Sequence, residues 1–113
     1  MALAMAEALK LWHDVNLDLV RGDAPDLSAR QVTILLTVYL EPPPHTVRAL
    51  AAKLVVSKPV ITRALDAMGQ MDLVTRRRDP QDRRNVLVQR TVEGALYLEQ
   101  LADMISRRAQ AGT

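Results

Sequence analysis

Between Thr46 and Leu65 two short amphipathic patterns are separated only by Val55 and Val56, which leaves this stretch few ways to fold. Thr46 is placed to cap a first helix that carries Val47, Leu50, Ala51 and Leu54 on one face. Ser57 is placed to cap a second, and Pro59 falls in its first turn, where a missing N–H costs nothing. That second helix turns Val60, Ile61, Ala64, Leu65 and Met68 to one side and Lys58, Pro59, Thr62, Arg63 and Asp66 to the other. One helix to hold and one to present a short basic face is the layout of a helix-turn-helix that reads the major groove. The same pattern occurs in many purely structural helix pairs, so the rest of the chain has to decide.

Charge is the first discriminator. The formal net charge is only +2, yet residues 45–90 hold ten Lys or Arg against four Asp, while the remainder holds five basic and nine acidic side chains. A basic module on an acidic frame is the electrostatic footprint of a nucleic-acid reader. A chance cluster of solvated charges is the plainer alternative.

The flanking segments supply the frame. Residues 3–20 repeat Leu3, Ala6, Leu9, Trp12, Leu17 and Leu19 at helical spacing, and Met5, Leu11, Val15 and Val20 widen the stripe. A helix apolar over so much of its circumference needs two neighbours, the core on one side and a partner subunit on the other. Arg21-Gly22-Asp23-Ala24-Pro25 ends it. Ser28 and Gln31 then form a capping box, with Leu27 and Val32 as a hydrophobic staple. Val32, Ile34, Leu35, Val38 and Leu40 are core candidates, and Pro42-Pro43-Pro44 stops this helix. The second helix of the central pair runs to about Met71 despite Gly69.

Leu73–Arg77 and Asn85–Arg90 read as two strands around a charged, turn-rich tip, Arg78–Arg84. A basic hairpin of this kind suits contact with phosphates or a minor groove beside the second helix. Thr91 is placed to cap a last helix, with Glu93 in its first turn and Arg107 and Arg108 near its C-terminus. Val92, Leu96, Leu98, Leu101, Met104 and Ile105 line it beside Tyr97, and the tail from Ala109 to Thr113 is expected to fray. First and last helices both carry surplus apolar surface, which points to a two-fold dimer built on Leu9, Trp12, Leu98, Leu101 and Ile105.

Composition closes off other classes. A length of 113 residues suits one domain, and with no Phe and a single Trp its core must be aliphatic. No cysteine is present, which excludes a disulfide framework, a thiolate metal site and a thiol redox sensor. The apolar N-terminus is interrupted by Glu7 and Lys10, a poor leader, so a cytoplasmic protein is expected. His13 and His45 stand far apart without an activated nucleophile, a carboxylate pair or a Gly-rich phosphate loop, so neither an enzyme nor a metal or cofactor site is expected.

The order helix, helix-turn-helix, hairpin, helix is that of a winged helix-turn-helix: mainly α with a small β-hairpin, flanked by dimerisation helices. A single domain over 1–113 is expected, with 1–22 a dimerisation helix, 27–90 a DNA-binding core with its wing, and 91–113 a C-terminal helix and tail. Between Leu27 and Gly94 the chain resembles the MarR family of transcriptional regulators. The match lies in Leu27-Ser28-Ala29-Arg30-Gln31, in Leu50-Ala51-x-x-Leu54, and in Ser57-Lys58-Pro59-x-x-Thr62-Arg63-x-x-Asp66. It continues in Leu73-Val74-x-Arg76, in Asp79-Pro80-x-Asp82-Arg83-Arg84, and in Thr91-x-x-Gly94.

The resemblance implies a homodimer on a roughly palindromic stretch of double-stranded DNA, repressing or less often activating nearby genes, with a small aromatic effector releasing DNA in many members. It implies that Ser57, Lys58, Pro59, Thr62 and Arg63 meet phosphates and base edges. Arg84 would enter the minor groove, steered by Asp82, while Arg76 and Arg83 would contact the backbone. Val60 stands where Ser or Thr is usual and could touch a thymine methyl. Asp72 stands in place of a usual Gly, which requires a left-handed backbone, and Arg90 in place of a usual Leu. The chain also ends before the further helix with which family members complete their dimer, so a smaller, differently arranged or weaker dimer is expected. A winged helix that binds proteins and no longer reads DNA is the alternative, although such a module has no need of Lys58, Arg63, Arg83 and Arg84 together.

Overall fold

The computed structural model describes residues 3–112 and orders seven elements: α1 (Met5–Arg21), α2 (Ala29–Leu40), α3 (Val47–Leu54), α4 (Lys58–Gln70), β1 (Val74–Arg78), β2 (Val86–Arg90) and α5 (Val92–Ala111). This is the expected winged helix-turn-helix, five helices with one antiparallel hairpin. Among the described residues no helix is long and apolar enough to cross a membrane.

Local chemistry sets most boundaries. The capping box closes α2: the Gln31 N–H donates to Ser28 Oγ at 3.1 Å, and the Ser28 N–H to Gln31 Oε1 at 2.8 Å. Thr46 Oγ1 caps α3 by accepting the Ala49 N–H at 3.0 Å. Ser57 departs from expectation, for its side chain caps nothing. The reason is Pro59: it has no N–H to give, and the Val60 and Ile61 N–H groups both turn to the Ser57 carbonyl, at 3.2 and 3.3 Å. Its hydroxyl is left without a helix donor. Leu40 is exposed rather than in the core, because it lies about a third of a turn or more from the buried stripe of Ile34, Leu35 and Val38. Each strand begins one residue later than the alternation predicts. The final helix reaches Ala111, so Ala109, Gln110 and Ala111 are helical rather than frayed, and Thr113 lies outside the described residues.

The chain forms two compact units. In the unit Leu27–Leu96, α4 packs on α2, α3 and β1. Its core is the aliphatic one expected: Ile34, Leu35, Leu50, Ile61, Leu65 and Met68 are 0–1% exposed, and Leu73, Val74 and Val88 close over them. Burying each such side chain is worth about 1.5–3 kcal/mol. The hairpin gains a third edge that the hydrophobic pattern does not announce. Thr46 bridges Leu87, and the Val88 N–H donates to the His45 carbonyl at 2.8 Å. His45 is buried, its Nε2 3.1 Å from the carbonyl of Glu41 at the end of α2, which ties the connection between α2 and α3.

Beneath the hairpin, the Tyr39 hydroxyl donates to the Thr91 carbonyl at 2.5 Å and accepts the Thr91 N–H at 2.8 Å. Thr91 Oγ1 in turn caps α5 through the Gly94 N–H at 2.9 Å. Gly94 is required there because a Cβ would collide with the Leu73 carbonyl and the Tyr39 hydroxyl. Arg90 is structural as well. Its guanidinium donates to the Val38 carbonyl at 2.9 Å, where the exposed end of α2 favours a cation.

The second unit comprises the segments through Asp26 and from Tyr97. Val15, Tyr97 and Leu101 are its buried side chains, and burial pushes the Tyr97 phenol up. Leu101, read from the sequence as a dimer-face residue, is packed inside the protomer at 8% exposure, because it follows Tyr97 by one helical turn on the buried stripe of α5. Leu9, Trp12 and Ile105 are exposed and Leu98 is half-buried. Arg108 grips Asp18 with two hydrogen bonds of 2.7 Å, joining α5 to α1. The guanidinium holds the Asp18 carboxyl below the usual carboxylate range.

Candidate nucleic-acid interface

Helical spacing and the buried stripe of Ile61, Ala64, Leu65 and Met68 together determine what α4 exposes. Lys58, Pro59, Thr62, Arg63, Asp66 and Gln70 lie on its exposed side, after the exposed Ser57. Val60 is half-buried on the flank toward α2, where it lines a groove with Arg63, Ala64, Ser28, Arg30 and Gln31.

The turn into α4 is tight because Val55 takes a left-handed conformation, φ 57°, that lets the Val56 N–H reach the Ala51 carbonyl at 3.0 Å. Asp72 does the same at the other end, at φ 59°, the left-handed backbone its place in the sequence requires. It lets the Leu73 N–H bond the Met68 carbonyl at 3.0 Å and sends the chain into β1.

The hairpin pairs Val74 with Arg90, Arg76 with Val88, and Arg78 with Val86. Alternation therefore puts Arg76 and Arg78 on the face of Val74, and Arg77 on the opposite face with Thr75. Its tip is organised by its own hydrogen bonds. The Gln81 N–H donates to Asp79 Oδ1 at 2.9 Å, the Asn85 N–H to the Asp82 carbonyl at 2.9 Å, and Arg78 Nη1 to the Arg83 carbonyl at 3.0 Å. At the apex Arg84 and Asp82 form a two-pronged pair, Nε to Oδ1 at 3.0 Å and Nη2 to Oδ2 at 3.1 Å. The Arg84 N–H adds a third bond to Oδ1 at 3.1 Å. The Arg84 side chain, first, and its N–H, second, hold the Asp82 carboxyl below the usual carboxylate range, and the pair holds the Arg84 guanidinium above its ordinary value. The side chain is aimed yet 83% exposed.

The structure redistributes the basic cluster. Arg76 is engaged: its Nη2 meets Asp66 Oδ1 of α4 at 2.7 Å, which ties β1 to the helix. Lys53 pairs with Glu41 and Arg90 is spent on α2. Among the described residues, the side chains of Arg21, Arg30, Arg48, Lys58, Arg63, Arg77 and Arg83 have no hydrogen-bonded or ion-pair partner, and all of these but Arg21 belong to the unit Leu27–Leu96. A lone arginine in a capping segment, Arg30 carries no periodic signal in the sequence; folding brings it to the same groove as Arg63. The Asp66–Arg76 link was equally hidden, since ten residues and a turn separate the partners. Among the described residues no group of His, Asp and Glu is placed to hold a metal ion.

Comparison with curated protein sequences gives no match. Solved structures do match. A MepR mutant of S. aureus bound to an oligodeoxyribonucleotide is 19% identical over 92% of this chain and 74% of that one, with a TM-score of 0.80. FabT of Streptococcus pneumoniae in complex with DNA is 20% identical over 96% and 76%, with a TM-score of 0.69. The PcaV transcriptional regulator of Streptomyces coelicolor, in complex with its natural ligand, is 23% identical over 98% and 82%, with a TM-score of 0.68. At such identities the likeness is one of fold. The family pattern of MarR, however, matches residues 27–86, more than half of the sequence and the whole span from the capping box of α2 to the first residue of β2. With that match, and with the wing and exposed helix face in place, the chain belongs to the MarR family of DNA-binding transcriptional regulators.

Proposed function

We propose that the protein is a repressor that binds a roughly palindromic operator as a homodimer, each α4 in a major groove and each β1–β2 loop over the adjacent minor groove. Ser57, Lys58, Pro59, Thr62 and Arg63 meet phosphates and base edges, and Val60 offers a methyl contact to thymine. Arg83 touches the backbone and Arg84 enters the minor groove. Arg76 acts indirectly, by holding the hairpin to α4. The observation that carries this reading is the aimed but exposed guanidinium of Arg84: a charge steered by a carboxylate at 3.0 Å, at the solvent-exposed tip of the hairpin. Release by a small aromatic effector belongs to the same reading, supported by the family.

The test is fluorescence anisotropy of a duplex from upstream of the protein's own gene, with unrelated DNA as competitor, at two salt concentrations. Binding should survive the competitor and weaken steeply with salt. Arg84→Ala should weaken it and flatten the salt dependence by about one ion per subunit without unfolding the protein. An unchanged affinity for Arg84→Ala would remove the wing from this account. Wild-type binding no tighter than to the competitor would favour a winged helix that recruits proteins instead.

A further inference from the structure

The groove between α2 and α4 has a lining of unusual charge. It encloses about 340 Å³ between Ser28, Arg30, Gln31, Val60, Arg63 and Ala64. Two of its polar residues are already committed, for Ser28 and Gln31 are locked to each other in the capping box. The remaining polar heads are two guanidinium groups, neither with a hydrogen-bonded or ion-pair partner among the described residues. No carboxylate lines the groove. Like charges sharing a space repel, and an anion between them turns that repulsion into two charge-assisted contacts.

Position identifies the anion. Arg63 stands on the exposed face of α4, between Pro59 and Asp66. A helix with its side chains, about 10–12 Å across, fills a major groove about 12 Å wide, so whatever flanks it abuts the phosphate walls. The first turn of α2 is such a flank, through Arg30.

We propose that Arg30 and Arg63 clamp one backbone phosphate of the DNA from the two sides of this groove. The inference rests on the DNA-binding reading above and extends the interface onto α2. Arg30 acts through its guanidinium, beside Ser28 and Gln31, whose amides and side chains are bonded to each other. A phosphate contact carries no sequence information, so Arg30 contributes affinity and register rather than base preference.

The experiment measures anisotropy of a random-sequence duplex of about 30 base pairs between about 50 and 200 mM salt, with wild type, Arg30→Ala, Arg30→Lys, Arg63→Ala and the double variant R30A/R63A. Arg30→Ala should weaken binding about fivefold near physiological salt and reduce the salt slope by about one ion per subunit. Arg30→Lys should keep the slope. The double variant should lose less than the product of the single losses, because both singles release the same phosphate.

An unchanged affinity and slope for Arg30→Ala overturns the clamp, and so do strictly multiplicative losses, which mean separate contacts. A loss seen with one duplex sequence only makes Arg30 a base reader and overturns it too. Stabilisation of the wild type by inorganic phosphate, absent in Arg30→Ala and without any effect of that variant on DNA affinity, would assign the groove to a free anion. Wild type that binds no duplex overturns the DNA reading itself; wild type that binds while Arg30→Ala is normal overturns the clamp alone.

Discussion

Val55 carries a backbone cost at the surface. It holds φ 57° with its side chain 88% exposed, so a β-branched residue occupies the left-handed region without any burial in return. A non-glycine residue there costs roughly 1–2 kcal/mol, and the added chain entropy of glycine offsets only about 0.5–1 kcal/mol of that. Val55→Gly should therefore stabilise the protein by roughly 0.5–1 kcal/mol, read as a higher midpoint in urea at unchanged slope. A lower midpoint would mean that the Val55 side chain has packing not accounted for. Asp72, at φ 59°, bears the same geometry more easily, because a short polar side chain tolerates it.

Among the elements, the pairing of α1 with α5 depends on a charge. Arg108 bonds Asp18 twice at 2.7 Å and depresses its carboxyl in the folded state. A depressed carboxylate stabilises the fold above its unfolded pKa of about 3.9, and that contribution disappears as pH falls through the lower, folded value. Wild type should accordingly melt above Asp18→Asn at neutral pH, with the gap closing as pH drops below about 4. A gap that stays constant into stronger acid would rule out ionisation as its source. Elements of this kind also mark where sequence reading stops. Caps at Ser28 and Thr46 and the alternation of the hairpin were legible because their causes lie within four residues or one period. The hairpin's third edge at His45 and Thr46, the seat of Arg90 on α2, and the union of Arg76 with Asp66 were not, because each joins residues that only the fold makes neighbours. Ser57 failed as a cap through a competition that propensity ignores, a carbonyl outbidding a hydroxyl for the same N–H groups.

On the scale of the whole molecule, the proposed dimer would rest on Leu9, Trp12 and Ile105, which are exposed, whereas Leu101 is packed inside the protomer. Trp12, 64% exposed, is the largest of them and the natural anchor. Trp12→Glu should shift the protein toward monomer in sedimentation equilibrium and weaken operator binding, leaving the helical content intact. A dimer that persists would place the two-fold axis elsewhere. Within each subunit, Asp66 holds Arg76 at 2.7 Å, so α4 and the hairpin travel together. With α4 in one groove and the loop over the next, as proposed, the subunit would act as a caliper whose opening this ion pair helps to set. It would accept DNA whose local twist brings major and minor groove into phase with that opening, and disfavour stretches too stiff to comply. Part of the choice of operator would then fall to a carboxylate through the arginine it holds.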